Sequence, residues 1–218
     1  EKDTDAVDIC RRAARESGLH FTARAAAVAA LAELAPQDCV DDLAAVASES
    51  QARPELAVAA LDALGRLKSS APAAEVVRRF CGEDREITVR AAALRALGGF
   101  EASIAPADRV DTLVAAALPP TSRHVRSAAL RSLSGLPATS WFSSFAKSAR
   151  PDGDDDLNLR LMTVRLIGEA ARSQASLRPH AAELLRRIRG ADRRPSVREA
   201  IDDALKQLDE DGRAAAAW

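Results

Sequence analysis

Apolar residues return along this chain at helical intervals, and one short run of them recurs. In ITVRAAALRALGGF (Ile87–Phe100), Val89, Ala93, Leu97 and Phe100 fall at i, i+4, i+8 and i+11, which is one face of an α-helix. The run recurs as RHVRSAALRSLSGL (Arg123–Leu136), LNLRLMTVRLIGEA (Leu157–Ala170) and PSVREAIDDALKQL (Pro195–Leu208). Two looser copies precede it, FTARAAAVAALAEL (Phe21–Leu34) and PELAVAALDALGRL (Pro54–Leu67). Aligned on the Arg of "VR", the copies stand at Arg24, Ala57, Arg90, Arg126, Arg160 and Arg198, in steps of 33, 33, 36, 34 and 38 residues. Five successive steps in so narrow a range mark an internal repeat.

A second apolar-periodic stretch follows each of the first five copies. Val40, Leu43, Ala44 and Ala47 carry the first, and Val76, Val77 and Phe80 the next. Val110, Leu113, Val114, Ala117 and Leu118 then follow, with Leu97 and Leu113 predicted to be buried. Trp141, Phe142 and Phe145 come next, then Ala181, Leu184, Leu185 and Ile188. Pro36, Pro72, Pro106 and Pro137 fall where the two helices of a unit must be joined. Gly65, Gly98, Gly135 and Gly168 stand near the block ends, where left-handed glycine caps are expected. Sustained period-2 alternation is absent, so strands are not predicted. One helix pair cannot bury both apolar faces alone, so the pairs must stack.

The pattern D-x-x-x-x-VR-x-x-A-x-x-AL-G resembles the HEAT-like repeat family, in particular the short bacterial-style repeats also seen in phycobilin lyases. The resemblance covers about residues 18–208. It implies an all-α fold: a right-handed α-solenoid of about six helix pairs, spanning 1–218 as one repeat domain. Residues 1–17 would be a truncated first repeat or cap, which implies chain missing upstream, and 209–218 a tail. The resemblance also implies a ladder between neighbouring repeats, built from Asp84 and Arg90, Asp154 and Arg160, and Asp192 and Arg198. Gly18 and Pro120 replace the Asp in two copies, and the second copy has Gln51 and Ala57 in place of both partners.

Composition narrows the function classes. The charges nearly cancel, with 31 Lys and Arg against 32 Asp and Glu, so no global field points to nucleic acid or membrane. No run of 18 or more apolar residues suggests a membrane span. Cys10, Cys39 and Cys81 form no CxxC pair and are odd in number; a reducing, cytoplasmic setting fits, with Cys39 and Cys81 as buried small hydrophobes. His20, His124 and His180 lie in different repeats and none precedes a Glu, unlike the His-Glu ligand pairs of a di-iron hydroxylase in the HEAT-like family. Phosphate-loop, dinucleotide and nucleophile-elbow motifs are missing. The acidic run Asp152, Asp154, Asp155, Asp156 lacks the closing Glu of a calcium loop and reads as helix capping. The chain is thus expected to be non-catalytic, with no cofactor or metal.

Two features suggest partner contact. Arg178, Arg186, Arg187, Arg189, Arg193 and Arg194 crowd the C-terminal part, and Trp141 and Phe142 are among the few aromatics. In the HEAT-like family the second helices usually line the concave side. That implies a groove acidic at one end, with Asp41 and Asp42, and basic at the other. The expected function is a protein-interaction scaffold that binds a protein or extended peptide on the concave face. Steering would come from the arginines, and apolar contact from Trp141 and Phe142 if a ring is exposed. The alternatives are a nucleic-acid-binding module using the arginine cluster, as a DNA glycosylase family does with such repeats, or a lyase-like, enzyme-associated repeat protein.

Overall fold

The computed structural model describes residues 2–49, 52–105, 107–150 and 156–216, without the side chains of 2, 3 and 214–216. All regular structure among them is helical. The helices are α1 (Lys2–Arg15), α2 (Phe21–Leu34), α3 (Val40–Ser48), α4 (Pro54–Arg66), α5 (Ala71–Arg78) and α6 (Ile87–Gly99). They continue as α7 (Arg109–Ala117), α8 (Arg123–Ser134), α9 (Ala138–Ser148), α10 (Leu157–Ser173), α11 (Arg178–Ala191) and α12 (Pro195–Ala216). Every sequence block starts its own helix at its first residue: α2, α4, α6, α8, α10 and α12. Five of these are followed by a second helix, while α1 and α12 stand singly at the two ends of the described chain. α12 also absorbs most of the expected tail, running to Ala216.

The starts are set by local chemistry. Ser70 caps α5, Glu86 caps α6 and Asp156 caps α10, each side chain accepting from first-turn amides that have no partner within the helix. His20 does the same for α2 through Nδ1 and Thr22. Asp156 thus fills the capping role expected of the acidic run; Asp152, Asp154 and Asp155 lie outside the described residues. Pro72 sits in the first turn of α5, where a missing amide hydrogen costs nothing. Pro36 lies in the α2–α3 turn and Pro137 precedes α9, while Pro106 lies outside the described residues.

The helices cluster into two units, 1–109 and 110–218. In unit 1 the first helices α2, α4 and α6 pack in series, and α3 packs more extensively on α4 than on α2. The sequence period reappears as contact: Arg66 reaches Glu33 at 3.3 Å, and Arg95 reaches Asp62 at 3.3 Å, each 33 residues back. Each pair joins equivalent positions of successive blocks, so the stacking is in register. In unit 2, α8, α10 and α12 pack in series, and Arg172 bonds Gln207 at 2.8 Å across 35 residues. Leu97 and Leu113 are both fully buried.

The glycines act differently from expectation. No described glycine has positive φ, so none forms a left-handed cap. Gly65 lies inside α4, and a Cβ there would meet Ala96 Cβ at 2.8 Å. Its use is close approach between α4 and α6. Gly168 lies within α10, which runs five residues further.

Candidate functional site

The arginines of the five blocks that carry one share a task. Arg24 donates from Nε to the Ala14 carbonyl at 2.9 Å, and Arg90 to that of Cys81 at 3.0 Å. Arg126 reaches Ala117 O at 3.4 Å, Arg160 Nη1 reaches Arg150 O at 3.4 Å, and Arg198 reaches Asp192 O at 2.9 Å. Each accepting carbonyl lies at or just beyond the end of the preceding second helix, α1, α5, α7, α9 or α11. The last carbonyls of a helix lack amide partners and carry the negative end of its dipole, so a guanidinium there satisfies both needs. Arg24, Arg126 and Arg160 are 3%, 8% and 4% exposed, which leaves these carbonyls little access to water. Arg109 caps the end of α6 in a similar way, through Phe100 O at 2.7 Å.

This replaces most of the expected ladder. Asp84 pairs with Arg85 at 3.5 Å, not with Arg90, whose nearest carboxylate contact is the exposed Glu83 at 3.8 Å. Arg198 takes the backbone carbonyl of Asp192, not its carboxylate, and Asp154 lies outside the described residues. One rung is present and buried: Arg160 Nε to Asp192 Oδ2 at 2.9 Å, with side chains 4% and 3% exposed. Arg24 makes the equivalent contact with Glu49 at 2.7 Å. In both, the carboxylate follows the second helix of the arginine's own repeat. Asp84, six residues upstream of Arg90, lies on the connection between α5 and α6 and pairs with Arg85 instead. Arg194 and then Arg160 hydrogen-bond the Asp192 carboxyl and hold it well below the usual carboxylate range.

Residues 17–98 match the HEAT-repeat family model. The match spans α2 to α6, the part where block-to-block spacing is 33 residues. No curated protein matches the chain. Beyond residue 98, Arg126, Arg160 and Arg198 cap the preceding helix ends as Arg24 and Arg90 do.

The arginine cluster is not a uniform patch. Arg189 is bound in a two-pronged contact to Asp202 at 2.6 and 3.0 Å, and Arg194 to Asp192 at 2.6 Å. Arg178 donates to Asp211 O at 3.3 Å. Arg186, Arg187 and Arg193 are exposed and make no hydrogen bond or ion pair among the described residues. At the other end, the expected acidic groove loses a member. Asp42 is 5% exposed, held by Arg11 Nε at 2.6 Å and by Arg15, and so ties α3 to α1.

Trp141 and Phe142 are each 2% exposed, so neither ring offers the exposed contact expected of it. They form the core of α9 with Phe145, whose ring meets Trp141 edge-on at 5.8 Å. Phe142 nevertheless floors a hollow of about 500 Å³ between α9 and α11, with Ala146, Leu177 and Leu184. Lys147, His180, Glu183 and Arg187 stand on its rim. A neighbouring hollow of about 570 Å³ lies between α7 and α9, floored by Val114, Ala115, Leu118 and Pro119. Lys147 borders both. The sequence showed Arg187 and Phe142 as separate features; the stacking of α9 against α11 brings them to one site.

Chemistry-bearing clusters are otherwise sparse. Among the described residues, no three His, Cys, Asp or Glu side chains gather as a metal site. Burial pushes the Cys81 thiol up to about 12, and the Cys39 thiol also up, which disfavours the reactive thiolate. No described helix is long and apolar enough to cross a membrane.

Proposed function

We propose that the chain is a non-catalytic scaffold that binds another protein on the concave side of a right-handed solenoid, where the second helices lie. The hollow between α9 and α11 carries this reading. It joins an apolar floor to cationic groups at its rim, and Arg187 there has no carboxylate to satisfy it among the described residues. In-register stacking supports it too, because a stack of rigid pairs presents a long surface with little left to order on binding. The three free cysteines suit a reducing setting such as the cytoplasm.

A partner captured by affinity purification and identified by mass spectrometry provides the test. Replacing Arg186 and Arg187 by Glu should slow its association and flatten the salt dependence while the melting curve is unchanged. Unaltered binding would move the interaction to another face. A nucleic-acid reading has the same unpaired guanidiniums in its favour. Against it stand Trp141, Phe142 and Phe145, which are buried and so not open to stacking bases beside these arginines, and Glu183 on the rim. Salt-dependent retention on DNA, lost in the same double variant, would favour it instead.

A further inference from the structure

We propose that the second-helix face of unit 2 takes an extended acidic protein segment in polyproline-II conformation, which crosses α9 and seats one apolar side chain in each flanking hollow. This rests on the scaffold reading and adds to it the partner's shape and charge.

The two hollows share a wall. One has Val114, Ala115 and Leu118 from the α7 side, the other Phe142 and Ala146 from α9 with Leu184 from α11, and Lys147 stands between them. Adjacent helices pack about 8–10 Å apart, so hollows on either side of one helix are about that far apart. A polyproline-II chain advances about 3.1 Å per residue with three residues per turn. Its residues i and i+3 therefore point the same way about 9 Å apart, matching one helix spacing. A β-strand places i and i+2 on one side, at about 7 Å, and i and i+4 at about 13 Å, and fits less well. The segment's two intervening side chains would face Lys147 and the solvent.

Charge selects the partner's sign. Lys147 and Arg150 border the first hollow, Lys147 and Arg187 the second, and none of the three has a hydrogen bond or ion pair of its side chain among the described residues. Asp111 and Glu183 interrupt this rim, one in each hollow. A few carboxylates can be placed between those two acids, whereas a uniformly charged phosphate backbone would meet both. The contrast with unit 1 supports the assignment. A groove there of about 960 Å³ is lined by Glu33, Asp38, Asp41 and Glu101 against only Arg66 and Lys68, and would repel the same segment.

Fluorescence polarisation with labelled Pro-rich, Asp-containing peptides, each bearing two leucines at separations of two to five residues, tests the geometry. A separation of three should bind about tenfold tighter than the others, and replacing Asp by Lys should lose about tenfold. Ala115 is exposed and Ala146 half-buried, so Ala115→Phe and Ala146→Phe fill one hollow each without entering the core. Each should weaken binding about tenfold with an unchanged thermal melt, and Lys147→Glu should do so while flattening the salt dependence. Equal affinity at all separations, or a plug without effect, would overturn the two-hollow crossing. Tighter binding of a labelled DNA duplex, lost on Lys147→Glu, would overturn the choice of partner. Selection from a random peptide library on phage separates the two levels: enriched peptides indifferent to both plugs defeat this inference and leave the scaffold, while no enrichment defeats both.

Discussion

Units 1 and 2 are built from the same block, yet unit 1 draws its first helices closer: a Cβ would sit 2.8 Å from Ala96 at Gly65, and 3.8 Å from Ala204 at the equivalent Gly168. In unit 1 the first helices are drawn together until side chains nearly vanish: Gly65 of α4 faces Ala96 of α6, and a single added methyl would sit 2.8 Å from its neighbour. Unit 2 places its bulk in a second helix, with Trp141, Phe142 and Phe145 all within α9 and all buried. The repeat therefore prescribes which face is buried, not how wide the interface is. Small residues at contact points let helices approach closely, as Gly65 and Ala96 do. The apolar-floored hollow between α9 and α11 lies beside the aromatic set, with Phe142 part of its floor.

That contrast can be broken at its largest element first. Trp141→Ala should cost about 3–5 kcal/mol by urea denaturation, since removing a buried aromatic leaves a cavity as well as losing its transfer energy. A loss under about 1 kcal/mol would mean that α9 is not held by its rings. Asp192→Asn should cost about 3–5 kcal/mol, because Arg160 would keep its charge in a site only 4% exposed without the carboxylate. This effect has a pH signature. The Asp192 carboxyl is depressed in the folded state, so its contribution is present above the unfolded aspartate value of about 3.9 and is lost as pH falls through the lower folded value. The difference between wild type and variant should therefore shrink below about pH 4, and a constant difference would refute the assignment.

Unit 1 should respond to addition where unit 2 responds to removal. Gly65→Ala, ordinarily helix-stabilising, should here cost about 1–3 kcal/mol, because the neighbour struck is the Ala96 side chain and backbone. A gain in melting temperature would show that α4 and α6 can part. The smallest effects separate the cap from the ladder. Arg90→Met should cost about 1 kcal/mol through the uncapped Cys81 carbonyl, whereas Asp84→Ala should stay within about 0.5 kcal/mol. Equal losses would restore a ladder between them.

The helices were legible because periodicity and capping act over a few residues. All six block starts coincide with helix starts, from Phe21 to Pro195. The burial of Leu97, Cys39 and Cys81 followed from the same pattern. What the sequence misplaced depends on partners one repeat away. Asp42 looks like a surface acid in α3, yet it is buried under Arg11 and Arg15 of α1, about 30 residues upstream. The ladder was legible only in part: Arg160 does meet Asp192 of the neighbouring repeat, across α11, whereas Asp84 turns to Arg85 and leaves Arg90 to the Cys81 carbonyl. Gly65 looked like a stop because helix ends and close contacts both favour glycine, and only the position of Ala96 decides between them. The candidate site was half legible: Arg187 and Phe142 were both picked out, but the hollow they share arises from α9 lying beside α11.

The guanidinium caps also say where such an array can be cut. Because Arg90 closes the end of α5 and Arg198 the end of α11, a boundary drawn at the turn between a second helix and the next first helix severs the bond that finishes the earlier one. A gene duplication or a grafting experiment that copies a second helix together with the following block carries its own closure. One that copies a block together with its own second helix exports a bare end. Shortened or lengthened versions of this protein should therefore be joined within a turn from a first to a second helix that no guanidinium bridges, for example at residues 135–137, and not at 82–86 or 192–194, nor at 101–108, where Arg109 holds the Phe100 carbonyl.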